Sequence, residues 1–142
     1  MPDTNIKMKM VIATLGLEVH WRGAVTVARL LRDCGVEVVF IGNAYPDEII
    51  QVAMQEGADI VGVSSLTGGH LILGSELMEV ASQKGIKDNV VFVIGGIFPP
   101  GDLPKLKEAG FDGTFGPEAN GEVIYTFIKK AVSLKQKELP DI

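Results

Sequence analysis

Five times along this chain a short apolar run gives way to a segment with helical spacing, and each join is only a few residues long. That alternation limits the possible folds more than any other feature. Strands that are each followed by a helix pair in parallel through right-handed crossovers, and the helices cover the faces of one sheet. The first run, Met8 to Leu15, is almost continuously apolar, as suits a parallel strand buried on both faces.

A helix follows, in which Ala24, Val27, Ala28, Leu30 and Leu31 recur at helical spacing and Gly35 provides the stop. Val36 to Ile41 is a β-branched strand ending at Gly42, and Pro46 and Asp47 open a second helix that runs to Gly57. The third strand spans Asp59 to Ser64, the third helix Leu73 to Lys84, and the fourth strand Asn89 to Ile94. A short fourth helix begins at Asp102 and Pro104, a weak fifth strand covers Phe111 to Phe115, and an amphipathic helix from Glu122 to Lys135 closes the chain. Five units in this length predict a single α/β domain, a flavodoxin-like (Rossmann-like) doubly wound five-stranded parallel sheet. Residues 8–135 form it, with a flexible N-terminus over 1–7 and a tail over 136–142.

Composition removes several function classes. The 142 residues suffice for one domain with a real core, and 46% apolar with 22% charged residues is ordinary for a globular protein. A net charge of −5 argues against nucleic acid, which needs clustered Lys and Arg. Only the stretch from Lys129 to Lys137 is locally basic, and it reads as a solvated helix end. A single cysteine, Cys34, fits a reducing compartment and reads as a packed thiol. The first residues lack an apolar signal core and no run reaches membrane-spanning length, so a cytoplasmic protein is expected.

The loops that follow the strands share the sheet's carboxyl edge, where open α/β sheets bind ligands. They read Gly16 to Gly23, Gly42 to Tyr45, Ser64 to His70, Gly95 to Pro100, and Gly116-Pro117-Glu118. Glycines and small hydroxyls dominate this edge, which lets backbone approach a large ligand closely. The opposite edge holds mostly single capping glycines. The first loop carries His20 with Glu18 two residues before it, and a carboxylate beside an imidazole orients it for a metal. One histidine with one acid nearby is also what an ordinary exposed loop contains. His70, in the third loop, reads as a structural loop or rim residue.

Known ligand signatures narrow the choice. Gly16 and Gly23 lack the G-x-G-x-x-G spacing of dinucleotide sites, and no Gly-Lys precedes Ser or Thr as in phosphate loops. A receiver domain would end its third strand in Asp, where this chain has Ser64. Two histidines and one cysteine, far apart, do not make a zinc hydrolase. A large ligand whose metal accepts one axial imidazole remains.

Glu18-Val19-His20-Trp21-Arg22-Gly23, Ser64-Ser65-Leu66 and Gly95-Gly96 resemble, in order and spacing, the D-x-H-x-x-G, S-x-L and GG signatures of the cobalamin-binding domain. The surrounding GVEVVFIG, ADIVGVSSLTGGH and VIGGIFPP are similar to the small subunit or C-terminal domain of adenosylcobalamin-dependent acyl-CoA mutases of the methylmalonyl-CoA mutase type. The resemblance covers roughly residues 8 to 133. It implies adenosylcobalamin bound with its own base displaced, His20 as the axial ligand to cobalt, and Glu18 accepting from the other imidazole nitrogen. Ser64 would hydrogen-bond the displaced base, Leu66 would border the tail, and Gly95 and Gly96 would leave it room. Trp21, Arg22, Gly23, Thr67, Gly68, Gly116 and Pro117 complete the implied cofactor contacts. A large acyl-CoA-binding subunit is the implied partner, so the chain alone would be inactive. A corrinoid carrier for methyl transfer and a non-catalytic cobalamin sensor are the alternatives. Three positions depart from the family pattern: Glu18 replaces Asp, Trp21 replaces a small or acidic residue, and Gly116-Pro117-Glu118-Ala119 stands near where Pro-Gly-Thr is usual.

Overall fold

The computed structural model describes residues 7–16, 22–65, 70–116 and 119–138. Five strands, β1 (Lys9–Leu15), β2 (Glu37–Ala44), β3 (Ile60–Ser65), β4 (Val91–Gly96) and β5 (Gly113–Phe115), form one parallel sheet in the order β2-β1-β3-β4-β5. The helices are α1 (Arg22–Asp33), α2 (Pro46–Glu56), α3 (His70–Gln83), α4 (Leu103–Ala109) and α5 (Gly121–Glu138), with a 3-10 turn over Pro100–Asp102 before α4. The doubly wound expectation therefore holds, and the direction of winding reverses between β1 and β3. The tail and most of the predicted flexible N-terminus fall outside the described residues.

Strand alternation sends successive side chains to two cores. Val11, Ala13 and Leu15 join Ile49, Ile50, Leu77, Phe92 and Leu106 on the face covered by α2, α3 and α4. Met8, Met10 and Ile12 join Leu31, Ile124, Ile128 and Val132 on the face covered by α1 and α5. With Val11, Ala13, Ile60 and Val61 wholly buried, β1 and β3 are central strands. Among the described residues no helix is long and apolar enough to cross a membrane.

Three sequence expectations need correction. β2 continues past Gly42 to Ala44, because Gly42 at φ +73° makes a bulge where the register with β1 shifts. Helix α3 starts at His70 rather than Leu73. Its buried residues are His70, Gly74, Leu77, Met78, Val80 and Ala81, and the first two are residues that a search for apolar spacing passes over. Cys34 is exposed in the turn after α1, so its thiol is not packed.

The amino edge of the sheet is closed by one device used twice. Asp59 accepts from the Lys9 backbone N–H at 2.9 Å through its carboxylate and donates its own N–H to the Lys9 carbonyl at 2.8 Å. Asp112 does the same with Phe92, at 2.8 and 2.7 Å, and its carboxylate also meets Lys135 Nζ at 3.0 Å. The Glu56 carboxylate, hydrogen-bonded to Lys9, holds that ammonium above its usual range, and Glu37 adds to the effect.

Candidate functional site

The register of the strands places the carboxyl-edge residues in rows. Thr14, Ser64, Gly95 and Phe115 are partners in one row, and Ile12, Gly62, Val93 and Gly113 in the row two residues back, which serves the same face. Ile12 and Val93 pack in the core under α1 and α5. Two of the three glycines in these rows, Gly62 and Gly95, present no side chain to that layer, and a space opens there. A cavity of about 570 Å³ runs from Gly96, Ile97 and Gly116 at the carboxyl edge down to Met10. Thr26, Val27 and Leu30 of α1, Asn120, and Gly121 and Ile124 of α5 form its outer wall.

The wall is held close by the sequence. At Gly121 a Cβ would stand 2.6 Å from Leu30 Cβ, so α5 can approach α1 only with glycine there. Asn120 Oδ1 accepts the Val123 N–H at 2.8 Å and caps α5 where it meets the cavity. The lining is overwhelmingly apolar, with the hydroxyls of Thr26 and Ser64 and the Asn120 amide as its polar side-chain groups. Such a space suits a flat, mostly apolar group that offers one or two polar atoms.

Of the residues expected at the site, Ser64, Gly95, Gly96 and Gly116 all line this cavity. Arg22 and Gly23 belong to the first turn of α1, with side-chain surroundings outside the described residues. Glu18, His20, Trp21, Leu66, Thr67, Gly68 and Pro117 also lie outside the described residues. Gly16, which precedes the His20 segment, is described: its N–H donates to the Ala44 carbonyl at 2.7 Å at the end of β1.

Sequence reasoning missed Gly62, Met10, Ile12, Leu30 and the α5 start. Gly62 carried a signal, since glycine inside a buried strand marks a bulge or a close approach. His70 was expected at a loop or rim. It is instead 5% exposed, with Nε2 2.8 Å from Asp102 Oδ2 and its ring 4.7 Å from that of Phe98.

A family model for the B12 binding domain matches residues 8–124. The chain belongs to the B12-binding domain family. This B12-binding domain is 34% identical over 104 residues to the 2-hydroxyisobutanoyl-CoA mutase small subunit of Aquincola tertiaricarbonis, covering 72% of this chain and 76% of that one. It is 35% identical over 119 residues to the pivalyl-CoA mutase small subunit of Xanthobacter autotrophicus, covering 82% and 78%. To the methylmalonyl-CoA mutase of Rhizobium meliloti it is 37% identical over 113 residues, 78% of this chain but only 16% of the relative's length.

Among solved structures, the Methanosarcina barkeri monomethylamine corrinoid protein matches with a TM-score of 0.72 at 19% identity, over 89% of this chain and 57% of that one. A putative response regulator from Chloroflexus aurantiacus matches with 0.73 at 16% identity, over 90% and 99%. These likenesses show the fold alone. A backbone common to a corrinoid protein and a response regulator does not choose a function, and the edge residues have to.

Proposed function

We propose that this B12-binding domain is the cobalamin-binding subunit of an adenosylcobalamin-dependent acyl-CoA mutase, paired with a separate, larger subunit that encloses the acyl-CoA. The observation that carries the reading is the apolar cavity beneath Ser64 and Gly95, on the α1 and α5 side of the sheet. Both small-subunit relatives are mutase components, and the chain covers 76% and 78% of them. The subunit works in the cytoplasm, as its lone cysteine leads one to expect.

The residues present fit the cofactor's nucleotide tail. A benzimidazole-type base is flat and apolar with one ring nitrogen to satisfy, and the cavity offers apolar walls with a hydroxyl at Ser64. Ser64 would donate to that nitrogen, while Gly95 and Gly62 would leave room for the ring. Leu66, Thr67, Gly68, Gly116 and Pro117 would border the tail, and Gly96 would line its entry. His20 would give one imidazole nitrogen to cobalt, with Glu18 holding the proton on the other. Trp21, Arg22 and Gly23 would flank that ligand. When bound, adenosylcobalamin supplies a weak cobalt–carbon bond whose homolysis starts a radical rearrangement. The chain's own part is to bind, to orient and to exclude water from the tail.

The test is a titration with cobalamin followed by absorbance, and by paramagnetic resonance of the cobalt(II) form on protein carrying nitrogen-15 histidine. A base-off spectrum with a histidine nitrogen on cobalt is expected, and His20→Ala should abolish that nitrogen coupling. Retention of the coupling in His20→Ala would remove His20 from its role. Absence of binding, with a large mutase subunit also present, would overturn the reading.

A further inference from the structure

We propose that His70 and Asp102 form a latch that positions the β4–α4 connection over the mouth of the cofactor cavity, so that both are positioning residues for cobalamin. The proposal rests on the cofactor reading above. His70 is the first residue of α3, and Asp102 ends the 3-10 turn before α4, on a different crossover. Their 2.8 Å contact links segments 32 residues apart in sequence. A carboxylate only accepts, so the His70 Nε2–H donates, and in the neutral ring Nδ1 is left as the acceptor. That Nδ1 is buried and has no hydrogen-bond partner among the described residues.

An imidazole whose second nitrogen has no partner among the described residues is a poor choice for core packing alone, because an apolar side chain of the same size needs no partner there. What the pair gains is a defined position for the segment between β4 and α4. Ile97 lines the cavity on the α1 and α5 side. Phe98, the next residue, packs its ring against His70 and the core on the opposite side. The segment from Gly96 to Asp102 therefore crosses the end of the sheet. It is anchored at one end by the β3–β4 register of Gly96 with Ser65, and at the other by the latch. Releasing the latch frees Ile97 at the cavity mouth without touching any residue that lines the cavity.

Two substitutions at each position separate the hydrogen bond from its packing. Gln at position 70 can place an amide N–H near the position of Nε2, whereas Leu fills the space without a donor. At position 102, Asn keeps an acceptor oxygen and Ala does not. Cobalamin affinity is measured on each folded variant well below its melting temperature, which is recorded separately. His70→Leu and Asp102→Ala should each weaken binding about tenfold or more, as for loss of a hydrogen bond to a charged group. His70→Gln and Asp102→Asn should stay within a fewfold of the parent, and the Leu/Ala double variant should be no weaker than either single one. If His70→Leu does not fold, Asp102→Ala carries the test from the more exposed partner, whose side chain is 17% accessible. Parent-like affinity in the Leu and Ala variants, or equal losses in the Gln and Leu variants, would overturn the latch while leaving the cofactor reading intact. Failure of the parent protein to bind cobalamin, with a large mutase subunit also present, would overturn both.

Discussion

Gly96 lies against the carbonyl of Ser65, its register partner across β3 and β4: a Cβ at position 96 would stand 2.1 Å from that oxygen. Gly96 also adopts φ +155°, which L side chains rarely accept. Its neighbour Gly95 is different, since a Cβ there meets nothing closer than the Phe115 carbonyl at 3.7 Å. The two glycines of one motif thus serve separate ends. Gly96 lets the chain close on itself, and Gly95 leaves space for something else.

Alanine at each position should show the division. Gly96→Ala should destabilise the fold by about 2 kcal/mol or more, through backbone strain and the clash with Ser65. Gly95→Ala should fold with little change in melting temperature yet bind cobalamin more weakly. Thermal denaturation and a cobalamin titration on both variants check this, and equal stability losses would refute it.

Gly62 offers a second way to fill the cavity. A Cβ there would lie 2.5 Å from Met10 Cε, the free end of a flexible side chain that also lines the cavity. Gly62→Val should therefore displace Met10 and occupy the ligand's space, at an overpacking cost of about 1–3 kcal/mol. Cobalamin binding by the folded variant should fall roughly a hundredfold. Calorimetric titration beside a denaturation curve compares the two losses.

At the other edge, Asp112→Ala should lower stability with no effect on the cofactor. The substitution leaves the Phe92 N–H without its 2.8 Å acceptor and Lys135 without its carboxylate. A cost of about 1–3 kcal/mol is expected for the unsatisfied donor. Urea denaturation should show it while the cobalamin dissociation constant of the folded protein stays unchanged.

The alternation of strand and helix was legible because each strand's apolar run and each helix's stop are local signals. Gly35, Gly57, Gly85 and Gly110 follow the first four helices at positive φ. The motif glycines and Ser64 were legible for the same reason, since they stand at the carboxyl ends of β3 and β4. What could not be read was which face a residue serves. Gly62 opens the cavity only because Ile12 and Val93 are its neighbours in register, and pairing between distant strands is not written in either one. His70 looked like a loop residue because its burial depends on Asp102 and Phe98, about thirty residues away. Cys34 looked packed because it adjoins a helix, yet it sits in the turn beyond the last buried position, Leu31.

The cavity under α1 and α5 also bears on how long the subunit survives. A ligand that binds only the folded chain adds stability by mass action, about 2.7 kcal/mol at a free concentration a hundred times its dissociation constant. In a cell short of the vitamin, the same polypeptide unfolds more often and meets proteases more often. Its abundance would then follow vitamin supply directly, through its own folding equilibrium.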